Sequence, residues 1–168
     1  IKAFNGQLEG RISAWAMPFA HAFTSDELLQ DLKQLCDELN TNITLHVTDA
    51  VEASGDPTRE SAILKLEKLG FHGSNVVLSH CVGINSDDVQ SLINTGTPVV
   101  VCPTAVLKMG GGFGKNVPLS EMLDGGVTVG IGTDAANNSN LIETGRSVYL
   151  VAVLIKDASG DVTRIPAE

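Results

Sequence analysis

Five short runs of β-branched and aliphatic residues recur along this chain, starting near positions 11, 43, 76, 98 and 127, with helix-patterned stretches between them. They are RISAWAM (11–17), ITLHVTD (43–49), NVVLSHC (75–81), PVVVCP (98–103) and VTVGIGTD (127–134). A strand followed by a helix, repeating roughly every 30 residues, is the signature of successive βα units. Such units build a parallel α/β sheet with the helices packed on it. Composition agrees. Of 168 residues, 43% are hydrophobic, only 4% are aromatic and 17 are glycine, which suits buried parallel strands and tight turns better than a β-sandwich. A doubly wound open sheet and a partial (β/α)8 barrel both satisfy the pattern, and periodicity does not choose between them.

The intervening stretches carry their own boundary signals. Thr24 and Glu27 have capping-box spacing ahead of an apolar stripe of Leu28, Leu32, Leu35, Cys36 and Leu39. Asp56-Pro57 reads as N-cap and first helical residue, with Ile63, Leu66 and Leu69 inward and Gly70 as the stop. Asn85 or Ser86 opens the next helix, which Gly96 ends, and a short helix around Leu119–Leu123 closes at Gly125-Gly126. The last helix is expected from Leu141 to about Lys156. The glycine-rich MGGGFG (109–114) lacks the GxxxxGK[ST] pattern of a phosphate loop and reads as a flexible substrate-side loop.

Several functions are disfavoured. A formal charge of −9 with no basic cluster argues against nucleic acid or an anionic membrane as partner. Cys36, Cys81 and Cys102 have apolar neighbours and no CxxC spacing, so they read as buried thiols of a reducing, cytoplasmic compartment. No apolar run reaches the ~18 residues of a membrane span. The length suits one domain, and a chain opening on Ile1 rather than Met leaves room for a segment ahead of it.

Three of the runs place at or near their C-terminal ends residues that bind metals or move protons: His46, His80 and Asp134. In a parallel sheet the C-terminal strand ends share one rim, so residues distant in sequence converge there. Either histidine alone reads more readily as a hydrogen-bonded core residue. A carboxylate after an apolar strand is harder to explain that way, because burying it without a cation or several donors is costly. Together, His and Asp suit a divalent ion such as Zn²⁺ or Fe²⁺ that makes water a usable nucleophile near neutral pH. Asp49, three residues past His46, is a candidate proton shuttle, and Asn137 and Asn138 are candidate substrate contacts. His21 follows a strand end but reads as structural or surface, and His72, between Gly70 and Gly73 on the opposite side, is expected in solvent.

With LHVTD, LSHCVGI, VCPTAVLKMGGG and GVTVGIGTDAANNSN in this order, the chain resembles the amidohydrolase superfamily. The branch it looks most like comprises cytosine, guanine and adenosyl-type deaminases and triazine chlorohydrolases. The resemblance implies a (β/α)8 barrel of which this chain is strands four to eight, without the N-terminal strands and the small β-domain. It also implies one catalytic divalent metal and displacement of amino or chloro groups from heteroaromatic rings. Carried over, His46 matches a metal ligand, His80 the histidine that contacts water or substrate, and Asp134 the aspartate that ligates the metal and takes the proton of water. Asp49 stands where deaminases carry the glutamate of HxxE, the donor to a ring nitrogen, and Val106 where many relatives have Asn. The family's HxH pair, two further ligands, is absent from the sequence. The expectation is a segment of a metal-dependent hydrolase, completed by parent-chain strands or by self-association; the alternative is an inactive, self-associating half-barrel.

Overall fold

The computed structural model describes residues 1–48, 60–140 and 142–165. Among these, strands β1 (Ile43–Thr48), β2 (Val76–Val82), β3 (Val99–Val101) and β4 (Val129–Ile131) form one parallel sheet in the order β1-β2-β3-β4. The helices are α1 (Asp26–Glu38), α2 (Ala62–Lys68), α3 (Ser86–Thr95), α4 (Pro103–Lys108), α5 (Phe113–Asn116), α6 (Leu119–Asp124), α7 (Ala136–Ser139) and α8 (Thr144–Ser159). The expected parallel α/β architecture is thus present.

The first expected strand does not form as such. Residues 11–17 run beside β1, joined through isolated parallel bridges from Ala16 to Ile43 and from Ala20 to His46. Two donors are lost to the ladder: the Asn5 side chain takes the Ala14 N–H at 3.1 Å, and Pro18 has none to give.

Local signals place the helices with small shifts. Ser25, not Thr24, caps α1, accepting from the Leu28 N–H, while the Thr24 hydroxyl donates to Ala20 O. The buried stripe of α1 runs through Leu29 and Cys36, leaving Leu28 half-exposed. Ser61 caps α2 by accepting from Ile63 and Leu64 N–H; the expected start at Asp56-Pro57 lies outside the described residues. Asn85 and Asp88 form a reciprocal capping box on α3, and Gly96 ends it at φ 63°. The last helix begins at Thr144, and α4 and α5 occupy much of what reads as loop on either side of the glycines.

The core lies on the helix side of the sheet. Ile43, Leu45 and Val47 of β1, Val76 and Leu78 of β2, and Val99 and Val101 of β3 are almost fully buried there against α1, α2 and α3. The opposite face carries Thr44, His46, Val77, Ser79 and Val100, all half-buried, with Gly130 beside Val100. That second face leads to the rim where the polar strand ends collect. No helix of the described residues is long and apolar enough to cross a membrane.

Candidate metal centre

His46 lies on the half-buried face of β1, two residues from the strand end. Its Nδ1 meets the Phe19 carbonyl. A carbonyl only accepts, so Nδ1 carries the proton and Nε2 keeps its lone pair. Metal-ligating histidines are commonly oriented this way, one ring nitrogen donating to a backbone carbonyl.

His80 reaches the same face only because β2 is irregular. Its register partner is Val47, which is fully buried on the helix side, so strict alternation would send the imidazole into the core. The ladder then slips: Thr48 pairs with Val82, leaving Cys81 as an extra residue. His80 and Cys81 adopt φ of 77° and 49°, a conformation costing on the order of 1–3 kcal/mol for a non-glycine residue. Cys81 turns into the core, and the His80 ring stacks on His46 with centroids 5.1 Å apart and planes 13° from parallel. Burial pushes the His80 imidazole below its usual range, against the pull of the Asp134 carboxylate and with a smaller push from His46.

Asp134 follows β4 and also sits at positive φ, 61°. Its Oδ1 accepts from the Ala135 N–H and, at 3.2 Å, from Asn138 Nδ2. Its Oδ2 faces His80 Nε2 at 3.8 Å. Asn138 therefore positions the carboxylate as well as lining the cavity. Asn137 has an exposed side chain away from the cavity, and its carbonyl accepts from Lys108 Nζ. Asp49 lies outside the described residues.

The arrangement includes a residue that the sequence reading treated as packing. Ligand atoms of His80, Cys102 and Asp134 all lie within 4.8 Å of one another. Cys102 is the penultimate residue of the PVVVCP run, as His80 is of NVVLSHC, so its position was the available signal. Burial pushes its thiol up to about 11; Asp134 adds to the shift, and the Asp134 backbone amide, hydrogen-bonded to the sulfur, opposes it.

These groups border a cavity of about 520 Å³, with Phe19, Phe23, Val106 and Met109 among its walls. His21, in the short 3-10 turn His21–Phe23, also reaches it. His72 departs from expectation: it is largely buried rather than in solvent. The turn into β2 tucks its ring under α3, where Nδ1 faces Thr95 Oγ1 at 3.4 Å and Ser91 Oγ at 3.5 Å. Those small side chains leave room for an imidazole.

The amidohydrolase family profile matches residues 1–165. The chain belongs to the amidohydrolase family. The 5-methylthioadenosine/S-adenosylhomocysteine deaminase of Symbiobacterium thermophilum is 34% identical over 163 residues, covering 94% of this chain and 37% of the relative. The namesake from Thermococcus kodakarensis is 32% identical, covering 87% of this chain and 34% of the relative. The amidohydrolase chain thus spans little more than a third of these relatives. A zinc-bound adenosine deaminase from Xanthomonas campestris superposes with a TM-score of 0.85 at 22% identity, over 96% of this chain and 37% of that one. The zinc complex of atrazine chlorohydrolase from Arthrobacter aurescens gives 0.76 at 23% identity, over 86% of this chain and 32% of that one. At such identities the likeness is one of fold.

Proposed function

We propose that this chain supplies part of the active site of a metal-dependent hydrolase that replaces an amino or chloro group on a heteroaromatic ring carbon with hydroxyl. The observation that carries the reading is the convergence of three strand ends: His46 with Nε2 left as an acceptor, His80 stacked on it, and Asp134 Oδ2 facing His80. The donor set fits a borderline divalent cation, Zn²⁺ or Fe²⁺, with His46 and Asp134 as holders. Such an ion, when bound, supplies the Lewis acidity that lets water lose its proton near neutral pH.

In this reading Asp134 Oδ2 accepts the water proton, its orientation fixed by Asn138 and Ala135 on the other oxygen. His80 directs the attacking oxygen from the same rim. Asp49 is assigned the donation of a proton to the ring nitrogen that develops charge. Asn138 and the rings of Phe19 and Phe23 border the space where a flat heterocycle would lie. The names of the similar proteins, deaminases of adenosyl compounds and an atrazine chlorohydrolase, support this substrate class. We assign the remaining ligands to strands outside this chain, packed on the half-buried sheet face at Val77 and Val100; a second copy is the other cover for that face.

The test uses the protein containing this chain, loaded with Zn²⁺ and assayed on adenosyl and triazine substrates by ultraviolet absorbance. Turnover is expected, with Asp134→Asn lowering kcat by roughly 10²–10⁴-fold. Undiminished turnover in Asp134→Asn, or none on either ring class in the metal-loaded wild type, sinks the reading.

A further inference from the structure

We infer that Lys108 is a positioning residue for Asp134: its ammonium group straps α7 to α4 and, through Asn138, fixes where the carboxylate points. The chemistry of that carboxylate rests on the hydrolase reading, and its placement on hydrogen bonds within this chain. Lys108 Nζ donates to the Asn137 carbonyl at 2.9 Å and to Asn140 Oδ1 at 2.8 Å. These acceptors lie on either side of Asn138, whose Nδ2 donates to Asp134 Oδ1 at 3.2 Å. Asp134 sits at φ 61°, a conformation that its surroundings must hold in place.

An exposed lysine on a protein surface ordinarily contributes little to stability. Here the element it grips has little strength of its own. α7 is four residues long, far short of a helix that holds itself together, so its place depends on outside contacts. The Asn137 carbonyl is among those a helix end leaves to outside donors, and Asn140 closes the turn at φ 60° with its side chain on the ammonium group. The other end of the strap is firm. Lys108 is the last residue of α4, which Ala105 and Val106 anchor in the interior. The Gly111 N–H then closes that helix by donating to the Val106 carbonyl at 2.8 Å. Val106 and Met109 line the same cavity as Asn138 and Asp134. The strap thus ties the segments that follow β3 and β4 into one unit, so the apolar wall and the carboxylate keep a fixed relation.

The experiment uses the protein containing this chain and compares Lys108→Met, which keeps an unbranched stem and deletes the donors, with Lys108→Arg, which restores a cationic donor. Zn²⁺ affinity is read by competition with a chromophoric chelator, kcat and KM by the absorbance assay, and folding by thermal melting. Lys108→Met should fold and lose about tenfold in both Zn²⁺ affinity and kcat, with KM within about threefold of wild type. Lys108→Arg should recover most of both losses. In an Asn138→Ala background the effect of Lys108→Met should shrink, because both side chains act through one carboxylate. If Lys108→Met does not fold, Asn140→Gly replaces it, since glycine suits φ 60° and deletes one acceptor; a smaller loss in the same two readings is expected. Wild-type Zn²⁺ affinity and kcat in the folded variant overturn the proposal while the hydrolase reading stands. So do an arginine variant no better than the methionine one and losses strictly additive with Asn138→Ala. A Zn²⁺ affinity that falls in Lys108→Met and returns in Lys108→Arg, in a protein without turnover, upholds the strap and sinks the hydrolase reading.

Discussion

Replacing His72 by leucine should make the protein less sensitive to acid. His72 is held between α2 and α3, and burial brings its pKa from the ordinary 6.5 down to about 4, against the pull of Glu67. The folded state therefore binds a proton less readily than the unfolded chain, and stability is lost as pH falls from 6.5 toward 4. Over that whole window the loss is at most about 3 kcal/mol, and between pH 7 and 5 about 2 kcal/mol. At neutral pH the ring has a second cost, since its buried Nε2 has no hydrogen-bond partner among the described residues. Leucine removes both. The neighbouring hydroxyls keep their partners, because Ser91 Oγ donates to Glu67 Oε2 at 2.7 Å and Thr95 Oγ1 to the Ser91 carbonyl at 2.8 Å. Urea unfolding of wild type and His72→Leu at pH 7 and pH 5 should show the variant more stable by about 1 kcal/mol at the higher pH. At the lower pH the gap should widen to about 3 kcal/mol. Carboxylates and the other histidines titrate in both proteins and cancel in the difference. An equal pH dependence for the two would refute the burial argument.

Asp88→Ala should destabilise the fold by about 2–3 kcal/mol in the same assay, since one buried carboxylate accepts from the Asn85 N–H of its capping box and from the Ser61 hydroxyl that caps α2. Gly125→Ala should cost about 1–3 kcal/mol, because its Cβ would stand 2.2 Å from Ile93 Cδ1. The paired change Gly125→Ala with Ile93→Val deletes that carbon and should recover part of the loss; a strictly additive pair in thermal melts would count against the clash.

The parallel βα architecture was readable in the sequence because strand and helix leave different periodicities, and because capping residues such as Asn85, Asp88 and Gly96 act within a few positions of where they stand. The rim position of Asp134 was readable for the same local reason: an apolar run stops in a carboxylate. Tertiary structure decided the rest. Residues 11–17 look like a strand, but ladder donors taken by Asn5 and missing at Pro18 leave one isolated bridge to β1 at Ala16, with a second beyond the run at Ala20. His72 looks like a turn residue for solvent, but α3 presents Ser91 and Thr95 above it and the ring is enclosed. The largest gap concerns His80, whose place in a strict two-residue alternation is the hydrophobic core. A bulge at Cys81 and two positive φ angles reverse that alternation and bring the imidazole to His46, Asp134 and Cys102. A side-chain pattern is local and sequence records it, whereas the slip of one strand against its neighbour is a property of the pair and exists only once the sheet has formed.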